Sequence, residues 1–531
     1  MGQEQRLAFL AADGVDDWRV AYCGPIARFA TGSVRAGAAF ATAVAAVDAL
    51  AEHPPLIDVR PDCVIVRVVR DLIDLDDGAA DRARAISAIA SDHGLEAQPE
   101  RTQDVQVAIA TSRPIAEVLP FWRAVLGYAD HIGDDLVDPR GRGPSVWFQP
   151  LDPERPLRHA MHLDLAVPRE VATARLAAAL EAGGRVASDR EAPQYWTCDD
   201  RGGNKVDLVT WTDLPVPEDE PTSLEVLSAA RGPAPSPQLS IGETDASAAA
   251  AGRASATPAP TSSPGPASAT DAPAATDASA AAAGRASATP APTSSPGPAS
   301  ATDAAPLVAA GPAELEHGEA MFAAFREASD LDDWPVVFWG PTAWFDTESL
   351  ARNAALATEL AALDGADRLH LDLRADGVAV RLARDFTELV EADLDLARRI
   401  SAAAAAFGAR SDPSNVQTVQ IAIASKAEAA VRPFWRELFD YAEHGDEDLV
   451  DLDGRGPSLW FQELPPEKPL RHAFHLDVSV PRAVGRARVE AALRAGGRIA
   501  AGAEEDGWWT LADPAGNKVD IAIWADREGT G

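Results

Sequence analysis

The chain is poor in sulfur and tyrosine, with three cysteines, three methionines and four tyrosines in 531 residues. Cys23, Cys63 and Cys198 are too few for a disulfide framework or a cysteine-rich zinc site. No apolar run is long enough to span a bilayer. The opening MGQEQRLAFLAADG has no basic stretch leading into an apolar core, so no secretory signal is expected. A reducing cytoplasm is the expected location. Basic residues are also scarce, 47 Lys and Arg against 82 Asp and Glu, for a formal charge of −35. That excess repels phosphate backbones and anionic lipid, so neither nucleic acid nor membrane is an expected partner.

What is present is a repeat. Asp17 to Trp211 is echoed from Asp333 to Trp524. DLVDPRGRGPSVWFQ (Asp135 to Gln149) returns as DLVDLDGRGPSLWFQ (Asp448 to Gln462), RHAMHLDLAVPR (Arg158 to Arg169) as RHAFHLDVSVPR (Arg471 to Arg482), and GGNKVDLVTW (Gly202 to Trp211) as AGNKVDIAIW (Ala515 to Trp524). The three cysteines face Trp339, Gly377 and Leu511 in the other copy, so no thiol chemistry is shared. Between the arms, 215–312 is dominated by Ala, Pro, Ser and Thr, and a 29-residue block beginning at Thr244 recurs at Thr276. Such a composition cannot bury a core and predicts a disordered linker.

Each arm divides again, into 5–100 and 102–214, then 319–412 and 415–525. In the first part, Ser33 is an N-cap candidate for a helix to Glu52, LIDVRPDCVIVRVVR reads as a hairpin, and Asp76 to His93 as a second helix ended by Gly94. The second arm repeats these with Ser349 to Leu363, a hairpin turning at Asp376-Gly377, and Ala392 to Phe407. In the second part, VQVAIA, DLVD and PSVWFQ read as strands around a helix Pro114 to Leu126. HAMHLDLAV, RVAS, YWTCDD and KVDLVTW then follow, with a helix Arg169 to Ala182. The order is βαβββ, twice.

The FWRAVLGY helix, the GRGPSVWFQ and HLDLAVP strands and the closing GNKVDL turn resemble the glyoxalase-like group of the vicinal oxygen chelate superfamily. The resemblance runs from Val105 to Trp211 and from Val419 to Trp524. It implies paired βαβββ modules forming a cupped sheet around a small ligand or metal. The pieces DWRVAYCGPIARFATGS, IDVRPDCVIVRV and ARAISAIASDHG resemble pterin-4a-carbinolamine dehydratase, a small α/β sandwich that removes water from 4a-hydroxytetrahydrobiopterin. The expected fold class is therefore α+β: two dehydratase-like sandwiches and two glyoxalase-like domains joined by the linker. The dehydratase pattern places a His-His-Pro before the hairpin and a His after it. This chain has His53-Pro54-Pro55 in one copy and Asp367-Arg368-Leu369 in the other, with Arg70 and Arg384 at the later position.

Dehydration needs an acid and a base near neutrality, which imidazole supplies and arginine does not. His53, with Asp58 or Asp71, is the remaining candidate. His370 reads as an exposed strand residue. The glyoxalase resemblance puts the family's metal positions at Gln106, Gln149, His162 and Asp207, and at Gln420, Gln462, His475 and Asp520. One imidazole, one carboxylate and two amides are a poor metal set, so no metal or other cofactor is expected. An organic-ligand cup fits better. Gln106, Trp147, Gln149, His162, Trp196 and Asp207 would line one, and Gln420, Trp460, Gln462, His475, Trp509 and Asp520 the other. The competing reading fills the cup with tryptophan as core. His162–Asp164 and His475–Asp477, two apart on a strand, share a face and form candidate acid/base pairs. Arg142 and Arg455 lie in G-R-G-P turns that need no anion to explain them. The expected ligand is a pterin or another small aromatic compound. Either a homodimer or pairing of the two arms within the chain is expected, and a non-catalytic binding or dimerisation module is the alternative to an enzyme.

Overall fold

Short polar caps and two-residue periodicity set the local structure. A computed structural model describes residues 2–131, 133–152, 160–211, 312–426, 428–445, 447–464 and 473–526. Nearly all of the expected linker lies outside them, as do Arg158, His159, Arg471 and His472 of the repeated motif. Ser33 and Ser349 cap helices Val34–Ala45 and Leu350–Leu360, each accepting from an amide three residues on. The first helix stops earlier than Glu52, and a separate short helix, Asp48–Ala51, follows.

The first parts of the two arms share one ten-stranded sheet. Strands Leu56–Val59 and His370–Leu373 join antiparallel at its centre, with Asp58 opposite Asp372. Asp58 pairs with Arg374 at 2.6 Å, and Asp372 with Arg60 at 2.8 Å, so the seam carries two reciprocal buried ion pairs. Above it the two capped helices pack together, with Thr42 and Thr358 hydroxyls 3.0 Å apart.

The second parts exchange halves. One eight-stranded sheet runs Arg185–Ser188, Tyr195–Asp199, Lys205–Val209, Met161–Ala166, and then crosses to Thr418–Ser425, Ser458–Glu463, Asp448–Val450 and Ala442–His444. The other joins Phe474–Ser479, Lys518–Ala522, Trp508–Ala512 and Arg498–Ala503 to Asp104–Thr111, Ser145–Pro150, Leu136–Val137 and Ala129–Asp130. Each seam holds six register pairs. Each cup therefore takes its first half from one arm and its second from the other. This corrects the expectation of a self-contained cup in each arm. The helices stay with their own arm: Ile115–Leu126 packs on Arg169–Glu181. Trp122 Nε1 donates to Asp200 Oδ2 at 2.9 Å, and Trp435 to Asp513 at 3.0 Å.

His370 is buried, not exposed as expected. Its strand is the inner one at the seam, bonded on both sides, and its Nδ1 lies 3.3 Å from the Arg381 guanidinium. Burial, with Arg381 and Arg60 nearby, drives its pKa well below the ordinary value.

Candidate functional site: two cups assembled from both arms

Register places the candidate residues. In the first cup Gln106 lies opposite Asp477 and Ala108 opposite His475. The neighbouring strand sets Ser145, Trp147 and Gln149 beside Gln106, Ala108 and Ala110. On the other flank Asp520 sits beside Asp477. The second cup repeats this, with Gln420 opposite Asp164, Ala422 opposite His162, Trp460 beside Ala422, Gln462 beside Ala424, and Asp207 beside Asp164.

Exposure alternates along the flanking strands. Ser145, Trp147 and Gln149 are partly exposed, while Val146 and Phe148 are buried. Tyr195, Thr197, Lys205 and Asp207 are partly exposed, while Trp196, Cys198, Val206 and Leu208 are buried. With a period of two, one wall is reached by solvent and the other is packed. Trp196 and Trp509 belong to the packed wall, 3% and 6% exposed, and do not line the cups as expected. Their neighbours one residue earlier, Tyr195 and Trp508, do.

The first cup is bonded across the arms. Trp147 Nε1 donates to Asp477 Oδ2 at 2.6 Å. Gln149 Nε2 lies 3.2 Å from His475 Nδ1, and His475 Nε2 lies 3.3 Å from Asp477 and 3.9 Å from Asp520. The indole meets the imidazole edge-on, with centroids 5.8 Å apart. Gln106 is turned aside, donating to Ser145 Oγ at 2.7 Å. Burial pushes His475 toward its neutral form, but Asp477 and Asp520 outweigh this and hold its pKa above the ordinary value. Burial and Asp477 push Asp520 up to about 6.

In the second cup His162 Nε2 lies 3.2 Å from Asp164 and 3.6 Å from Asp207. The same balance of burial against two carboxylates raises His162, and burial lifts Asp164 to about 6. Here Trp460 turns to Glu447 at 3.1 Å within its own half, and Gln420 approaches Asp448 at 3.5 Å. The cups thus share a His–Asp–Asp cluster and differ at the tryptophan.

Ligand atoms of each His–Asp–Asp group lie within 4.8 Å of one another. Donors bonded at about 2.0–2.2 Å to one ion stand roughly 3–3.5 Å apart, and the imidazole–carboxylate distances of 3.2 to 3.9 Å in the two clusters come near this, so a divalent cation could be held with a small adjustment. The donor set differs from the sequence expectation. Gln106 and Gln149 are already engaged, and a second carboxylate, Asp477 or Asp164, would take part. An ion held by His475, Asp477 and Asp520 would supply positive charge to polarise a ligand oxygen.

The residues expected to carry a dehydration do not come together. His53 is exposed and lines a cavity of about 500 Å³ with Pro54, Arg70, Asp76, Arg82 and Arg140. Asp58 is only 1% exposed and committed to Arg374 at the seam, so it cannot serve His53. Asp71 caps the following turn and lies 3.5 Å from His131.

Several residues at the cups were not foreseen. Tyr22 packs edge-on against Trp524 at 5.4 Å. Burial and the carboxylates of Asp477 and Asp520, which belong to the first cup, raise its phenol well above the ordinary value. Its counterpart in the second arm, Phe338, packs against Trp211 at 5.9 Å and has no hydroxyl. His444 lies 3.0 Å from Asp385. Beside it, burial pushes Asp448 up to about 7. The signal for Tyr22 was a Tyr-for-Phe difference between aligned segments of the two copies.

The repeated turns are structural. Asp138 accepts from the amides of Arg140, Arg142 and Gly143. Gly143 has no alternative, since a Cβ there would lie 2.0 Å from the Tyr128 hydroxyl. Arg142 and Arg455 reach across to the other arm, Arg142 donating to Asn415 O at 2.7 Å and Arg455 to Gln103 O at 2.7 Å.

Residues 106–209 and 420–522 each match the glyoxalase-like domain family. The chain therefore carries two glyoxalase-like domains, and each matched segment gives one half to each cup. No curated protein matches the chain. Among the described residues no helix is long and apolar enough to cross a membrane.

Proposed function

We propose that the protein binds a small aromatic compound in each of its two composite cups, and that the His–Asp pairs exchange a proton with it. The observation that carries this reading is the alternation of exposure. The wall bearing indole, imidazole, amide and carboxylate groups is reached by solvent, while the opposite wall is packed. Aromatic surface with a few convergent polar groups is what a small-molecule site requires. An imidazole raised by two carboxylates, beside a carboxyl near 6, gives an acid and a base close to neutrality. The three cysteines are buried and free, in keeping with the cytoplasm.

A second reading is favoured by His53 facing its own cavity beside Arg70 and Asp76. The dehydratase resemblance makes a 4a-hydroxytetrahydropterin the natural substrate there. One assay separates the two: turnover of a 4a-hydroxytetrahydropterin and binding of a tetrahydropterin, measured for wild type, His53→Ala, His162→Ala and His475→Ala. The cup reading expects binding to fail in the His162 and His475 variants and to survive in His53→Ala. Loss of turnover in His53→Ala alone would move the chemistry to the first cavity.

A further inference from the structure

The two arms meet at a pair of related junctions, and these are not alike. At each, the G-R-G turn of one arm rests on the first sheet of the other. The shared contact is a guanidinium on a backbone carbonyl: Arg60 Nε donates to Asp453 O at 2.6 Å, and Arg374 Nε to Arg140 O at 2.6 Å. Asp62 and Asp376 are kept beside it, each near a junction arginine, and the other side chains have diverged in concert. At the first junction Arg28, 1% exposed, forms a two-pronged pair with Asp453 at 2.8 and 3.0 Å, with Cys63 alongside. At the second, Trp344 replaces Arg28 and Arg140 replaces Asp453. The Arg140 guanidinium lies 4.5 Å from the indole centroid and pairs with Asp376 at 2.8 Å. Gly377 replaces Cys63, and a Cβ there would stand 2.5 Å from the Trp344 ring.

We propose that the two arms recognise each other and reject themselves. An ion pair and a cation–π contact each satisfy one junction, but their components do not mix. Two copies of the first arm would set Arg140 over buried Arg28, two cations with only the exposed carboxylate of Asp62, 3.6 Å from Arg28, to offset them. Two copies of the second would set Asp453 over the negative face of Trp344 and beside Asp376. A buried charge left without its partner is strongly unfavourable, and a ring face repels an anion for the reason it attracts a cation. The central seam offers no such choice, because its Arg–Asp pairs are reciprocal and would form in any pairing. The junctions therefore fix which halves meet in a cup, bringing Gln149 to His475 rather than to His162.

The test uses the full chain with a specific protease site placed after Gly265, cleaved after folding. The cleaved protein is denatured, refolded and weighed by native mass spectrometry. The expected result is the mixed pair, with same-arm dimers absent. Arg140→Asp, which gives the first arm an Arg–Asp pair with itself, should add a dimer of first arms. Same-arm dimers in random proportion from wild type, or no new dimer from Arg140→Asp, overturns the proposal. Should the arms fail to refold, melting of the intact chain decides. Arg28→Trp must lower Tm, and Arg28→Trp with Cys63→Gly and Asp453→Arg must recover most of the loss. A triple variant no better than the single one overturns it equally.

Discussion

Trp147 of the first arm gives its indole N–H to Asp477 of the second, at 2.6 Å, across the seam of the first cup. The bond ties a partly exposed aromatic to the carboxylate that also faces His475, so the cup's shape and its charge depend on the same contact. The matching indole, Trp460, finds Glu447 in its own half instead. Trp147→Phe should therefore cost about 1.5–3 kcal/mol in urea unfolding, the range for a hydrogen bond to a charged group. Trp460→Phe, whose partner is exposed, should cost less than about 1 kcal/mol.

Asp58 acts in assembly rather than in chemistry. Asp58→Ala strands Arg374 at the buried seam and should lower stability by about 3–5 kcal/mol. Asp58→Ala with Arg374→Met should recover much of that. Any turnover that depends on His53 should persist in the double variant. A double variant that folds fully and yet is inactive would return Asp58 to the site.

The cups give the molecule an unusual pH dependence. Asp448, pushed up to about 7, binds a proton in the folded state that it releases near pH 4 when unfolded. Stability from this group is fully present below about pH 4 and is lost as pH rises to about 7. His444, raised by Asp385 against the opposing effect of burial, runs the same way, its contribution fading as pH climbs through its folded value. Asp372, held well below the ordinary range by Arg60 and Arg374 against its burial, runs the other way and loses its contribution in acid. Wild type should be more stable at pH 6 than at pH 8. Asp448→Asn should erase about 1–1.5 kcal/mol of that difference. Unfolding curves at the two pH values measure it directly.

Much of the fold was legible because the chain repeats. Ser33 and Ser349, the strand alternation of PSVWFQ, and the helix Ala392–Phe407 follow from caps and periods that act within a few residues. The helices Gly2–Ala11 and Pro312–Glu327 carry only weak apolar stripes and were missed. The exchange of halves was not legible. Both arms hold the same strands, so pairing within an arm and between arms satisfies the same hydrophobic pattern. The face of Trp196 was misjudged for a related reason. Tyr195 and Trp196 are both aromatic, and only the register of Thr197 with Asp207 decides which one turns to the cup.

The central claim is that each cup is built from both arms, and a disulfide test reads it most directly. Ala108 lies opposite His475 in an antiparallel pair, where Cα atoms stand about 4.5–5.5 Å apart and within disulfide reach. Ala108→Cys with His475→Cys should oxidise readily, and the two arms should then stay covalently joined after cleavage between residues 212 and 311. Ala108→Cys with His162→Cys should not form that bond. The reverse result, a bond to position 162 and two separate arms with 475, would mean that each arm closes its own cup, and the account would fail.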